Sequence, residues 1–184
     1  LPGRFGIPAL YVSHDIDEVA RLADRLLVLA DGRVRTHGET TDVVERLDLQ
    51  PVTGRFEAGV LVEGRVEHHD RRLHLTEVAV GDDAVVMPLA SRLAPGAPVR
   101  LRIRARDVAL ATVRPEGLSI RNVLPGTLTE LVAEPESAFV EARVALSGAR
   151  LRSRITRAAA EALALRPGMS VYALVKSVSF EGAA

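Results

Sequence analysis

Cysteine and tryptophan are both absent from this 184-residue sequence, and aromatic residues make up only 3% of it. Without thiols there is no disulfide, thiolate zinc site or iron–sulfur cluster, a composition compatible with a reducing compartment. With so few rings, a core has to be assembled from Val, Leu, Ala and Ile, which favours small barrels and sandwiches. No apolar run approaches the roughly 20 residues that a helix needs to span a bilayer. The formal net charge is +0, which removes the broad positive field on which non-specific nucleic-acid binding depends, so nucleic acid is not an expected partner. Nor does the sequence contain a G-x-x-x-x-G-K-S/T loop, the backbone cradle and lysine that hold nucleotide phosphates.

What is present falls into two regimes. Residues 1–48 read as mixed α/β. The apolar run Ala9-Leu10-Tyr11-Val12 has the pattern of a strand covered on both faces. It gives way at Ser13-His14-Asp15 to Ile16, Val19, Ala20 and Ala23 at helical spacing, with Asp15 and Glu18 suited to a helix start. An imidazole at a strand-to-helix junction stands where α/β folds meet phosphates. A second strand, Leu26–Leu29, meets Asp31-Gly32, a dipeptide suited to a tight hairpin because both positions tolerate positive φ. Arg33–Arg35 is the return strand, and a short helix with Val43, Val44 and Leu47 on one side follows.

Beyond Pro51 the hydrophobic period becomes two, as in Arg72–Thr76 and Val99–Arg104, with glycine and proline at short intervals. Many short strands with such turns suggest a small barrel or sandwich. A weak repeat aligns Leu93-Ala94-Pro95-Gly96 with Leu165-Arg166-Pro167-Gly168 and sets Gly54 opposite Gly126. Two related β-units follow, over 52–117 and 118–184. Each is small enough to require a shared core or dimerisation. Thr156 is a plausible cap for a helix through Ala158, Ala159, Ala162 and Leu163 that would plug one end of a barrel. His68-His69-Asp70 with His74 reads as an exposed turn among charged neighbours, and no metal is assigned there.

The stretch from Ile7 through Ser13-His14-Asp15, Glu18-Val19 and Ala23-Asp24-Arg25 to Asp31-Gly32-Arg33 resembles the last part of an ABC-transporter ATPase, the segment that carries the switch histidine. The resemblance implies that His14 contacts the γ-phosphate of ATP and positions the attacking water, an imidazole being able to donate to a phosphate oxygen. It also implies that the phosphate-binding loop, the signature loop and the carboxylates for Mg2+ lie upstream of Leu1. The chain then reads as a C-terminal portion, inactive alone in ATP hydrolysis.

Ser119-Ile120-Arg121-Asn122-Val123-Leu124-Pro125-Gly126, with Val175-Lys176-Ser177-Val178-Ser179, resembles the molybdate-binding Mop repeat, or TOBE domain, of oligonucleotide-binding-like barrel fold. The resemblance implies that the segment with Ser119, Arg121 and Asn122 and the segment with Lys176 and Ser177 meet at subunit interfaces, across partnered barrels, and bind a tetrahedral oxyanion. Such a dianion offers acceptors on every side and no donors, so it needs convergent N–H and O–H groups and compensating positive charge. Together these resemblances imply an α+β chain: an α/β tail of a nucleotide-binding domain, then an accessory β-barrel domain. The implied function is ATP-driven molybdate uptake, with homodimerisation and membrane permease subunits as partners, at the cytoplasmic face of the cell membrane. Molybdate or tungstate would be the ligand of the accessory domain, and ATP with Mg2+ that of the whole subunit. An importer for sulfate, a sugar or a polyamine remains an alternative, as does a free-standing molybdate-binding or storage protein; residues 1–48 argue against the latter.

Overall fold

A computed structural model describes residues 9–13, 19, 22–30, 32–45, 59–134 and 136–182. Most of them are in strands, with only short helices, so the expected α+β character narrows to a mainly β fold. Strands β1 (Arg25–Ala30) and β2 (Arg33–Glu39) form an antiparallel hairpin, with Gly32 at a φ of +71° in the expected turn. Asp31 lies outside the described residues. Helix α1 (Thr40–Glu45) follows directly and buries Val43 against Val28. Residues Ala9–Val12 do not form the expected strand. Leu10 and Val12 are exposed, and no described strand lies alongside to take up their backbone hydrogen bonds.

The remaining strands are β3 (Gly59–Asp70), β4 (Leu75–Val80), β5 (Asp83–Pro88), β6 (Pro98–Arg104), β7 (Val108–Ala111), β8 (Asn122–Ala133), β9 (Phe139–Ala145), β10 (Arg150–Thr156), β11 (Ser170–Val175) and β12 (Ser179–Gly182). They build two five-stranded sheets, ordered β12-β6-β3-β4-β5 and β10-β9-β8-β11-β7, antiparallel throughout. The division expected at residue 118 is therefore crossed twice. β7 leaves the first unit to pair with β11, and β12 leaves the second to pair with β6. Each unit completes the other's sheet. The second sheet curls until its edges meet, and the Ser153 hydroxyl on β10 donates to the Val108 carbonyl on β7, 2.6 Å away.

The internal repeat is real and finer than the sequence suggests. A β-bulge between Val66 and His68 recurs between Leu128 and Glu130. Gly96 N–H donates to the Val66 carbonyl and Gly168 N–H to the Leu128 carbonyl, both at 2.7 Å. The counterpart of Gly126 is Gly64 rather than Gly54, which lies outside the described residues. A Cβ at either glycine would stand 2.6 Å from a carbonyl oxygen, of Ala79 or of Ala145. The two hairpin turns touch as well, for a Cβ on Gly148 would lie 2.4 Å from the Gly81 backbone. Ser147 bridges them, accepting from Asp82 N–H at 2.9 Å and donating to the Asp83 carboxylate at 2.8 Å.

One apolar core runs through both sheets, from Val60, Val66, Leu101 and Ile103 to Leu128, Val144, Leu151 and Val175. Alternation explains it: in β6, Val99, Leu101 and Ile103 point inward. Helix α2 (Arg157–Ala162) has its expected cap, with Thr156 Oγ accepting from Ala159 N–H at 3.1 Å. It buries no residue and so does not plug the barrel: beside β9 and β10, Ala158 and Ala162 are exposed and Ala159 and Ala160 only half-buried. Arg72–His74 belong to a turn instead of a strand, and β4 starts at Leu75. His69 lies within β3, its ring bonded to the Thr76 hydroxyl at 2.9 Å and the Leu93 carbonyl at 2.8 Å.

Charge is buried at the junction with the hairpin. Glu141 on β9 and Arg152 on β10, each 1% exposed, pair at 3.3 Å. Arg152 also donates to the Val44 carbonyl of α1 at 3.5 Å. Arg154 pairs with Glu134 at 3.0 Å and lies 3.6 Å from the second Glu141 oxygen and 4.3 Å above the Phe139 ring. Burial pushes the Glu141 carboxyl above its ordinary value, and the guanidinium groups of Arg152 and Arg154 pull it back only in part. A carboxyl raised on folding keeps its proton where the unfolded chain has released its own. Its contribution to stability is thus present below the ordinary value of 4.5 and lost as the pH climbs through the raised one. Urea denaturation across this range, compared with Glu141→Gln, should therefore show the protein losing stability relative to the variant as the pH rises, then levelling off. A difference independent of pH would contradict the assignment.

Candidate functional site

The register of β8 and β11 brings the two basic segments together. Asn122, first in β8, pairs with Val175, last in β11. Arg121 and Lys176 flank this rung, so their backbones run on neighbouring tracks, roughly 5 Å apart. On the far side of β11, Val175 pairs with Val108, and Lys176 N–H donates to the Asp107 carbonyl at 2.9 Å. Arg121, Lys176 and Asp107 thus stand in that order across one end of the sheet. Both Arg121 and Lys176 are exposed, and among the described residues neither side chain has a hydrogen-bond or ion-pair partner.

Around Arg121 the segment after β7 folds over a shallow pocket of about 210 Å³, lined by Arg114, Pro115, Gly117, Leu118, Ile120, Arg121 and Val123. Ser119 is exposed in a bend of the same segment. Ser177 is also exposed, and its hydroxyl donates to the Asp107 carboxylate at 2.7 Å. Arg121, Lys176, Ser119 and Ser177 are thus all exposed where strand backbone gives way to loop. Positive charge and hydroxyl donors are the groups that an anion requires.

Asn122 is different. It is 5% exposed, and its amide makes a paired contact with β5 in the other sheet. Its Nδ2 donates to the Val86 carbonyl at 2.9 Å, and its Oδ1 accepts from the Val86 N–H at 2.7 Å. Both functions of the side chain are engaged by main chain, so its role is to clamp the site segment to the neighbouring sheet edge. His14 lies outside the described residues.

Sequence reasoning missed Arg114 and Asp107. Arg114 was within reach, since Arg114-Pro115-Glu116-Gly117 leads directly into the Ser119 segment. Asp107 was not, because only the crossing of β7 into the second sheet brings it beside Ser177.

The family model for the TOBE domain matches residues 118–180. The molybdenum import ATP-binding protein ModC of Rhizobium etli is 46% identical over 176 residues, 96% of this chain and 48% of its own length. ModC 1 of Azotobacter vinelandii is 44% identical over 176 residues, again 96% of this chain and 48% of its own length. The chain spans about half the length of the curated relatives it matches. Among solved structures, a cytoplasmic molybdate-binding protein, ModG, crystallised with molybdate bound, superposes with a TM-score of 0.55 at 29% identity. That match covers 67% of this chain and 95% of ModG.

Replacing Asn122 by Ala strands the Val86 N–H and carbonyl at a half-buried edge, at a cost of about 2–4 kcal/mol for the two groups. The loss should be measurable by urea denaturation with no oxyanion present; undiminished stability would remove the clamp.

Proposed function

We propose, for a chain whose residues 118–180 are a TOBE domain and which is homologous along almost its whole length to molybdenum import ATP-binding proteins, that it is the C-terminal portion of the ATPase subunit of a molybdate importer. Its β-rich part then binds the imported oxyanion. The supporting observation is the β8–β11 register, which sets Arg121 beside Lys176 at one end of the sheet. Arg121 supplies a directional guanidinium fork, Lys176 a compact ammonium, and Ser119 and Ser177 supply hydroxyl donors. Molybdate carries its metal inside a shell of oxygens, so hydrogen-bond donors and positive charge suffice to hold it. Asn122 keeps the donor-bearing segment fixed.

In this reading the subunit works as a homodimer beneath membrane permease subunits. Among the described residues no helix is long and apolar enough to cross a membrane. His14, at the end of an apolar run, would act on the γ-phosphate of ATP. The chain holds no G-x-x-x-x-G-K-S/T loop, so its residues do not suffice to cradle Mg–ATP, and ATP turnover is assigned to the whole subunit. A free-standing oxyanion-binding protein is the second reading, favoured by the near-complete coverage of ModG. The hairpin β1–β2 with α1, and the match over 96% of the chain to ModC, favour the importer.

Equilibrium dialysis of the purified chain against molybdate, tungstate and sulfate tests the binding role. Molybdate and tungstate should bind more tightly than sulfate. Arg121→Ala and Lys176→Ala should each weaken molybdate by about ten-fold or more, as expected for lost charge-assisted hydrogen bonds. A folded chain that takes up none of these ions would leave the β-units with an architectural role only.

A further inference from the structure

At the proposed oxyanion site one of the donors is already engaged by a negatively charged group of the protein itself. Asp107, half-buried at the end of the 3-10 turn Ala105–Asp107, accepts the Ser177 hydroxyl at 2.7 Å through its carboxylate. Its main-chain carbonyl accepts Lys176 N–H at 2.9 Å. A serine hydroxyl has one proton to give. While Asp107 holds it, an oxyanion cannot. Asp107 also stands on the strand track next to Lys176, so its carboxylate adds negative charge there and opposes the approach of an anion. The Arg121 and Lys176 side chains, by contrast, remain open to a ligand.

We propose that Asp107 is a built-in competitor of the oxyanion, a residue that sets the site's affinity by occupying Ser177 and repelling the incoming charge. This rests on the oxyanion reading of the site. The contact is made possible by the strand exchange, since Asp107 belongs to the crossing from β6 to β7 and Ser177 to the crossing from β11 to β12. The Asp107–Ser177 pair keeps the two crossings together. On binding, Ser177 turns its proton from the carboxylate to the ligand. The competitor raises the concentration at which the site fills, which suits a site that responds to accumulated oxyanion and stays empty at trace levels.

Asp107→Asn keeps the shape and an acceptor for Ser177 but removes the charge, whereas Asp107→Ala removes both. Calorimetric titration of the full chain and of each variant, with sodium molybdate and with sodium perrhenate, separates the effects. Perrhenate is a tetrahedral oxyanion of similar size with a single negative charge. Asp107→Asn should tighten molybdate on the order of ten-fold, and perrhenate by a smaller factor, because the repulsion removed scales with ligand charge. Asp107→Ala should tighten both at least as much, and it carries the test if the Asn variant fails to fold. Molybdate affinity that is unchanged or weaker in the folded variants, while the unmodified chain binds, overturns the competitor and leaves the oxyanion reading intact. Equal gains for the two anions overturn the role of charge. No binding by any of the three proteins overturns the oxyanion reading, and the competitor with it.

Discussion

Neither five-stranded sheet is complete without a strand from the other unit. β7 and β12 are exchanged, and the shared core of the two units depends on that reciprocity. A unit of some 60 residues buries too little surface to be comfortably stable alone. By lending its last strand, each unit joins its core to the other's, so Leu101 and Ile103 share one apolar interior with Leu151 and Val175. The exchange also creates two short crossings, at Ala105–Asp107 and at residues 176–178, and these meet at one end of the second sheet. The residues with chemistry to offer are at that meeting point.

The polar contacts reinforce the same arrangement. Asn122 grips the Val86 main chain, Ser153 closes the seam between β10 and β7, and Ser147 ties one hairpin turn to the other. All three link segments far apart in sequence, and each uses a short side chain with few rotamers to order. The Glu141–Arg152 pair is of another kind. It spends positive and negative charge deep in the protein, where burial opposes ionisation, and through the Val44 carbonyl it fastens the hairpin unit to the second sheet.

Much of this was legible in the sequence for identifiable reasons. Period-two alternation marked β6, Asp31-Gly32 marked the β1–β2 turn, and Thr156 marked the start of α2, because each is a local rule obeyed by local residues. The repeat was visible too, but its register was misjudged at Gly54. A constant offset fails because equivalent turns differ in length: Gly81-Asp82 joins β4 to β5, whereas Leu146–Ala149 joins β9 to β10. The strand exchange was hidden, since consecutive strands usually pair with one another. At the site, residue types were readable and roles were not. Arg121 and Lys176 could be named as charges, but nothing in the Ser119–Asn122 segment told that Asn122 would spend its amide on a remote strand edge.

The contact between Gly81 and Gly148 bears on how this molecule can vary. Two main chains there approach so closely that no methyl group fits between them. Extra residues in either turn would act as a wedge, prising the β4–β5 and β9–β10 hairpins apart and stretching the exchanged strands. Changes in chain length are instead cheapest at Arg71–His74 and in the stretch between β7 and β8, where added loop would project into water. The first is remote from the pocket beside Arg121, but the second forms its wall, so growth there would reshape that pocket while leaving the paired sheets as they are.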